Sequence, residues 1–376
     1  MVAVNGDSLI WNDNLYKSDI VMSAIRPYVK AIGKAVPKHI VETVKEDGSR
    51  DIKVNPKPYI RFLLEDPNPY TTGQKFREQL ATSLILNNHA FALIVRDENG
   101  LPVAMYYLNA TMAVAEYDAA GRLAIRFYFA GGKTFLFAYQ DLIHLKGDVA
   151  GSHDFLGGSK MEQLMPLMEL IGTIDKGIVN AIKNSAVIRW LLKYTTSVRP
   201  EDLETNAKRF SEQFLDTDAG FGVAAVDSKA EAVQIKPNDF VPNSTQTDRT
   251  IKRFYAALNT NEKIVTSSYT EDEWIAYYEA QVEPDILQLA DVFTRAIFSR
   301  KERSFGNRIA VEASNLSTAS MSTKLSLREM VDRGAMTPNE WRAAFNMAPV
   351  PGGDTLIRRL DTAAVNESEV NANEAN

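Results

Sequence analysis

The residues able to do chemistry are few and scattered. The four histidines, His39, His89, His144 and His153, form no i, i+4 pair, and no His-Glu-x-x-His motif places two of them on one helix face. Cysteine is absent, which removes thiolate nucleophiles, cysteine-based metal sites and disulfides. No Gly-x-Ser-x-Gly turn presents a serine nucleophile. Gly132-Lys133-Thr134 matches the end of a phosphate-binding loop, but that motif needs a glycine where Phe127 stands. The surrounding alternation also reads as strand, turn, strand, whereas a phosphate-binding loop opens into a helix. Carboxylates are plentiful, yet they fall on faces that read as solvated. The residues predict no catalytic set, no metal and no cofactor.

One concentration of charge stands apart. Seven acids lie between Glu271 and Asp291: Glu271, Asp272, Glu273, Glu279, Glu283, Asp285 and Asp291. No Lys or Arg occurs from Thr270 to Thr294. Such a face either keeps a helix solvated or borders a polyanion that must not stick. The element carrying it is a long helix expected over 270–303. Thr270-x-x-Glu273 is a capping box, with acids at the positive end of the helix dipole. Trp274, Tyr278, Val282, Ile286, Leu289, Phe293 and Ile297 keep one apolar stripe. Arg300, Lys301 and Arg303 suit the negative end, and Pro284 predicts a kink. A second helix, about Ser244 to Leu258, precedes it on Ile251, Phe254, Tyr255 and Leu258. The polar break between the two is residues 259–269.

The 376 residues suffice for two or three substructures, and no run of 18 apolar residues offers a membrane span. The N-terminus lacks the basic and apolar regions of a secretory signal. A cysteine-free chain suits a reducing cytosol. The formal charge of −6 argues against a protein that grips nucleic acid by its phosphates. In chain order, residues 1–17 read as a loose arm and Ser18 to Ile32 as an amphipathic helix. A β-turn-β unit follows over His39–Val54, then a short helix from Tyr59 and a helix capped at Thr71 or Thr72. Strands at Ala90–Val95, Pro102–Leu108, Met112–Tyr117, Leu123–Phe129, Thr134–Ala138 and Asp141–Leu145 read as one antiparallel meander. Ser159-x-x-Glu162 is a capping box before a helix to Asn184 that Pro166 splits. The texture then changes: a strand to Tyr194, a helix from Pro200, and a hairpin of Gly220–Val226 with Ala230–Ile235. Two helices thus flank a small insert, like a stalk with a tip. After 303 come a strand at Arg308–Glu312, helices at Thr318–Arg333 and Pro338–Phe345, and a polar tail expected to be disordered.

The order of these features resembles the portal (connector) proteins of tailed bacteriophages, in the short form found in long-tailed phages. The resemblance is carried by Glu65-Asp66-Pro67-Asn68-Pro69 before the helix of Phe76, and by the run from Leu86 to Asp97. Further pieces are Gly100 with Tyr107-Leu108, and Asp141-Leu142-Ile143-His144-Leu145. Near the end come Gly334-Ala335-Met336-Thr337-Pro338-Asn339-Glu340-Trp341-Arg342, Pro349 and Gly352-Gly353-Asp354. Where the family often has a Gly-Val-Pro-type turn, this chain has Asn259-Thr260-Asn261-Glu262-Lys263.

The resemblance implies a non-enzymatic α+β subunit with an antiparallel β-rich wing, a two-helix stem, a small α/β clip, a long kinked helix and a short helical crown. The implied bounds are wing 1–158, stem helices 159–185 and 237–258, clip 186–236, tunnel loop 259–269, long helix 270–303, reduced crown 304–360 and tail 361–376. It implies a homo-oligomeric ring, usually of twelve, at the portal vertex of the capsid, assembled in the host bacterial cytoplasm. Its partners would be the terminase large subunit, the major capsid protein, a head–tail adaptor and double-stranded DNA passing without sequence specificity, with no membrane and no cofactor. The channel residues would be Asn259, Asn261, Lys263, Thr266, Ser267, Glu271, Asp272 and Glu273. The docking residues on the clip helix would be Glu201, Asp202, Glu204, Lys208 and Arg209. The rivals are a capsid scaffold without a DNA channel and a soluble hydrolase.

Overall fold

The computed structural model describes residues 2–11, 13–44, 50–147, 156, 161–185, 189–194, 199–214, 230–235, 244–312, 325–345 and 347–357. The chain divides into two compact units, Met1–Met161 with Leu258–Asn376, and Glu162–Ala257. The mixed helix and strand content is that of an α+β protein.

The first unit opens with strand β1 (Val2–Ile10) and helix α1 (Asp13–Lys17), so the expected loose arm is instead part of the fold. The reason lies in Leu9, Trp11 and Leu15, three large apolar side chains that are all buried. Their burial draws β1 antiparallel onto strand β6 (Met112–Tyr117), from Val2 opposite Tyr117 to Ile10 opposite Met112. Helix α2 (Asp19–Lys34) starts where Ser18 accepts from the Val21 backbone N–H. Its residues Val21, Ala24, Ile25, Tyr28 and Ile32 form the buried stripe. Strands β2 (Val36–Val44) and β3 (Arg50–Val54) form the expected pair, although their turn lies outside the described residues. Helices α3 (Pro58–Glu65) and α4 (Gly73–Asn87) follow. Thr72 caps α4, and Asn88, at φ 64°, ends it in the left-handed region.

The single meander is corrected to two sheets. Strands β4 (His89–Arg96), β5 (Pro102–Tyr107) and β9 (Leu142–Lys146) form one sheet in the order β5-β4-β9. Strands β6, β7 (Leu123–Tyr128) and β8 (Thr134–Ala138) join β1 in the other, ordered β1-β6-β7-β8. Four successive residues of β4, His89 to Ala92, are buried, so this strand is central and needs a partner on each edge. Strand β9 therefore returns to β4 and does not extend from β8. Phe91 stands edge-on to Trp11 and Phe127 in the core, with centroids 6.2 and 5.2 Å away.

Beside Phe91, His89 Nδ1 lies 3.0 Å from His144 Nε2, and the Tyr139 hydroxyl lies 3.1 Å from His144 Nδ1. Burial holds His144 well below the usual histidine range, and the neighbouring His89 adds to the effect. Burial also lowers His39, against the bond its ring makes with Asn307. Each is favoured neutral in the fold but charges freely in the unfolded chain. Their stabilisation is therefore full above about pH 6.5 and is lost as pH falls below it. The stability of the first unit should drop by up to roughly 1.4 kcal/mol per pH unit per proton between pH 6.5 and 5. Denaturant titrations at several pH values should show this slope, and His144→Gln should flatten it. A slope unchanged by that variant would remove His144 as its source.

The second unit holds α5 (Met161–Ser185), β10 (Arg189–Tyr194), α6 (Pro200–Phe214), β11 (Ala230–Ile235) and α7 (Ser244–Ala257). Pro166 does not split α5, which continues through it as one helix. Strand β11 pairs antiparallel with β10, from Arg189 opposite Ile235 to Tyr194 opposite Ala230. The expected hairpin partner at 220–226 and the capping serine Ser159 lie outside the described residues.

Returning to the first unit, α8 (Glu262–Val265), α9 (Glu271–Tyr277) and α10 (Glu283–Ile297) build the region that carried the acids. The long helix ends at Ile297 and not at 303. Phe298 is extended, and Ser299 with Glu302 forms a fresh capping box for α11 (Arg300–Ser304). Strand β12 (Asn307–Glu312) then pairs antiparallel with β2, opposite its pairing with β3. Short helices α12 (Arg328–Asp332) and α13 (Pro338–Ala344) follow. The α13 side chain of Asn339 fastens the next loop, donating to Val350 O and Asp354 and accepting from the Val350 N–H. The tail 361–376 lies outside the described residues.

Candidate functional site

The segment from Asn259 to Ile297 is built by local capping chemistry. Leu258 is buried, and Asn259 turns the chain at φ 51°. Asn261 then accepts from the Ile264 N–H at 3.1 Å and starts α8, so the expected open loop contains a helical turn. Ile264 is fully buried, and α8 packs against α2. Thr266 donates to the Glu262 carbonyl at 2.8 Å, and the Ser268 N–H donates to the Lys263 carbonyl at 2.9 Å. Ser267 reverses the chain at φ 59°. The turn is thereby fixed from within, while Asn259, Asn261, Lys263, Thr266 and Ser267 all remain exposed.

Thr270 and Glu273 form the expected reciprocal cap on α9. Glu273 also takes an ion pair from Lys263. That bond, with the Thr270 backbone N–H, holds its carboxyl below the usual range. The cation expected to meet DNA is therefore already partnered, and one of the acids expected beside it, Glu273, is spent on it. Asp272 is exposed and Glu271 half-buried. Tyr269 stacks on Trp274, 5.1 Å between centroids, and Trp274 leans on Tyr277 at 5.7 Å. A cavity of 580 Å³ opens beside them, lined by Asn259, Thr260, Asn261, Glu273, Tyr277 and Gln281. Burial pushes the Tyr277 phenol up to about 12.

Between α9 and α10, residues Tyr278–Val282 form a π-helical turn. The Glu283 N–H reaches back to the Tyr278 carbonyl, and Pro284 begins α10. The widened turn accommodates a proline that lacks an N–H, so the expected disruption at Pro284 takes this form. Asp285 accepts from the Tyr28 hydroxyl at 2.7 Å and is held inside its own chain. Gln288 reaches the β9 end, accepting from the Lys146 N–H and donating to its carbonyl.

In the second unit, Glu201, Asp202, Glu204 and Lys208 are exposed on α6, and Lys208 pairs with Glu204 at 3.1 Å. The Arg209 side chain lies outside the described residues. Gly131 and Gly132, at φ 83° and 78°, form the turn between β7 and β8, which settles the Gly132-Lys133-Thr134 motif as a hairpin. Among the described residues no three histidines or carboxylates gather as a metal site, and no helix is long and apolar enough to cross a membrane. The Lys263–Glu273 pair was missed because ten residues separate them, a spacing no helical rule flags. The Asn261 cap was legible in Asn261-Glu262 and was passed over.

A family model described as phage portal protein matches residues 19–346. The portal protein of Enterobacteria phage HK97 is 21% identical over 383 residues, covering 97% of this chain and 87% of that one. A chain in the neck of the native gene transfer agent (GTA) particle, computed with C12 symmetry, superposes with a TM-score of 0.63 at 13% identity. It covers 89% of this chain and 92% of its own. The crystal structure of an HK97-family phage portal protein from Corynebacterium diphtheriae gives a TM-score of 0.52 at 12% identity, covering 84% and 99%.

Proposed function

The chain belongs to the phage portal protein family, and on that premise we propose that it lines a channel for double-stranded DNA during packaging and ejection. The family is a structural, non-enzymatic component of the virion at the capsid vertex. Its subunits assemble as oligomeric rings with capsid components. The observation that carries the reading is a family match that runs through both units of the fold. A neck computed with C12 symmetry supports twelve subunits here. The ring is tested by the mass and projected shape of the purified assembly.

In this reading residues 259–269 are the tunnel loop, and the clip of 186–236 docks the terminase large subunit first and a head–tail adaptor later. Exposed charges of both signs on α6 suit a polar, exchangeable interface. The loop would present DNA with Asn259, Asn261, Thr266 and Ser267, uncharged, beside acidic Glu262 and Asp272. Lys263 is occupied by Glu273. A phosphate then finds no unpaired cation to hold it, counterion release is not gained, and DNA slides.

Glu273→Gln would release Lys263 while leaving an oxygen for the Thr270 N–H. The ring should assemble normally and hold DNA at low salt, with affinity falling about tenfold per tenfold rise in salt for each phosphate contacted. Filter binding of a blunt duplex to the assembled variant reads this directly. Wild-type DNA retention by that variant at every salt concentration would take the loop away from the channel.

A further inference from the structure

We infer that the groove between α2 and α4 is the seat of the neighbouring subunit, and that a second copy of this chain fills it with Leu287 of α10, flanked by its Glu283 and Asp291. This rests on the ring reading above.

The groove has a volume of 460 Å³. Its floor is apolar, from Trp11, Met22, Val29 and Tyr107, of which Met22 and Val29 are half-buried in the isolated subunit. Its rim is basic. Lys30 and Lys75 both bond the buried Glu78 carboxylate, at 2.8 and 3.1 Å, so two cations there serve one acid. Arg26, one turn before Lys30 on α2, is exposed and makes no ion pair among the described residues. The rim thus carries three cations against one carboxylate. An occupant with an apolar centre and acidic flanks fits it.

The chain presents such a surface elsewhere. Leu287 is 60% exposed in the middle of α10. Glu283 and Asp291 stand one turn before and one turn after it, on the same face. Neither makes an ion pair among the described residues, in contrast to Glu273 and to Asp285, which bonds Tyr28. The face of α2 that meets α10 carries Tyr28, while the face that lines the groove carries Met22, Arg26 and Val29. Knob and groove are therefore on different faces, on either side of the Tyr28–Asp285 bond that links α2 to α10. A closed ring built head to tail needs that arrangement, since each subunit offers one surface forward and another backward.

Charge exchange tests the assignment. Arg26→Glu alone should cancel the net positive charge of the rim and set a new carboxylate against the acidic knob, and Glu283→Lys with Asp291→Lys should leave a basic knob facing a basic groove. Each variant alone should need at least about tenfold more protein to form rings than wild type, by mass photometry. Mixed in equal amounts they should form rings again, because in alternating subunits the introduced carboxylate meets the introduced lysines at one junction and the native groove meets the native knob at the next. Lys30 and Lys75 stay unaltered, so Glu78 keeps its partners. Melting temperatures equal to wild type would show that the separate variants fold. Either variant assembling like wild type would overturn the inference while leaving the ring intact, and so would a well-folded mixture that fails to assemble. Normal rings of Arg26→Glu with altered DNA retention would assign the rim to nucleic acid instead. A wild-type chain that makes no ring would overturn the ring reading itself, and this inference with it.

Discussion

Gly306→Ala is expected to lower the melting temperature by about 10 °C, the result of roughly 2–4 kcal/mol of lost stability in a domain of this size. Gly306 turns the chain from α11 into β12 at φ 80°, a conformation unfavourable for a residue with a Cβ. Sterics add to this. A Cβ there would stand 1.9 Å from the Glu42 carbonyl oxygen, and that atom is backbone and cannot swing aside. The same contact is productive in the native chain, where the Glu42 N–H donates to the Gly306 carbonyl at 3.0 Å. That bond starts the β2–β12 pairing. Gly121→Ala separates the two causes. Its φ is 72°, but nothing lies within 4 Å of its added Cβ, so only the conformational cost of about 1 kcal/mol should appear. Calorimetry on both variants measures the difference. Equal melting temperatures would mean that the β12 entry yields more easily than this packing allows.

Replacing residues 197–218 by a short Gly/Ser linker is expected to leave rings intact and abolish capture of the terminase large subunit. The pairing of β10 with β11 does not use α6, since all six of its residue pairs lie within 189–194 and 230–235. The ladder should therefore survive the exchange. The exposed acids at the start of α6 sit at the positive end of its dipole and stabilise the helix without needing a partner in the chain. That leaves them available to another protein. Surface plasmon resonance on immobilised rings reads the loss. Undiminished capture would place motor docking elsewhere.

Local chemistry carried most of what the sequence disclosed. Thr72 and Thr270 each cap a helix at the place their spacing implied, and Ser18 and Thr337 cap two more by the same rule. The apolar stripe of α10 is buried at Ile286, Leu289, Phe293 and Ile297. Ser299 and Glu302 obeyed the same rule but were absorbed into a charged helix end, because the run from Arg300 to Arg303 also suits a C-terminus. The failures were non-local. Periodicity identifies β4 and β9 as strands but is silent on whether β9 pairs with β8 or returns to β4. The burial of Phe91 decides that. Residues 1–17 read as a loose arm, while the burial of Leu9, Trp11 and Leu15 against distant strands and helices determines its fate. At the candidate site the exposed polar residues of 259–269 were legible. Their rigidity was not, because it comes from the Asn261 cap, buried Ile264 and the Lys263–Glu273 pair.

The central claim is that this chain forms a closed ring around a passage wide enough for a DNA duplex. Single-particle electron microscopy of the purified wild-type protein, with its mass measured on the same sample, tests it most directly. Twelve chains of 41.9 kDa predict a particle of about 500 kDa whose end-on class averages show rotational symmetry and an open centre. The hole should exceed the roughly 20 Å breadth of a duplex, whose major groove alone is about 12 Å wide. A monomer or dimer at every concentration, or a closed particle with no central opening, would contradict the account.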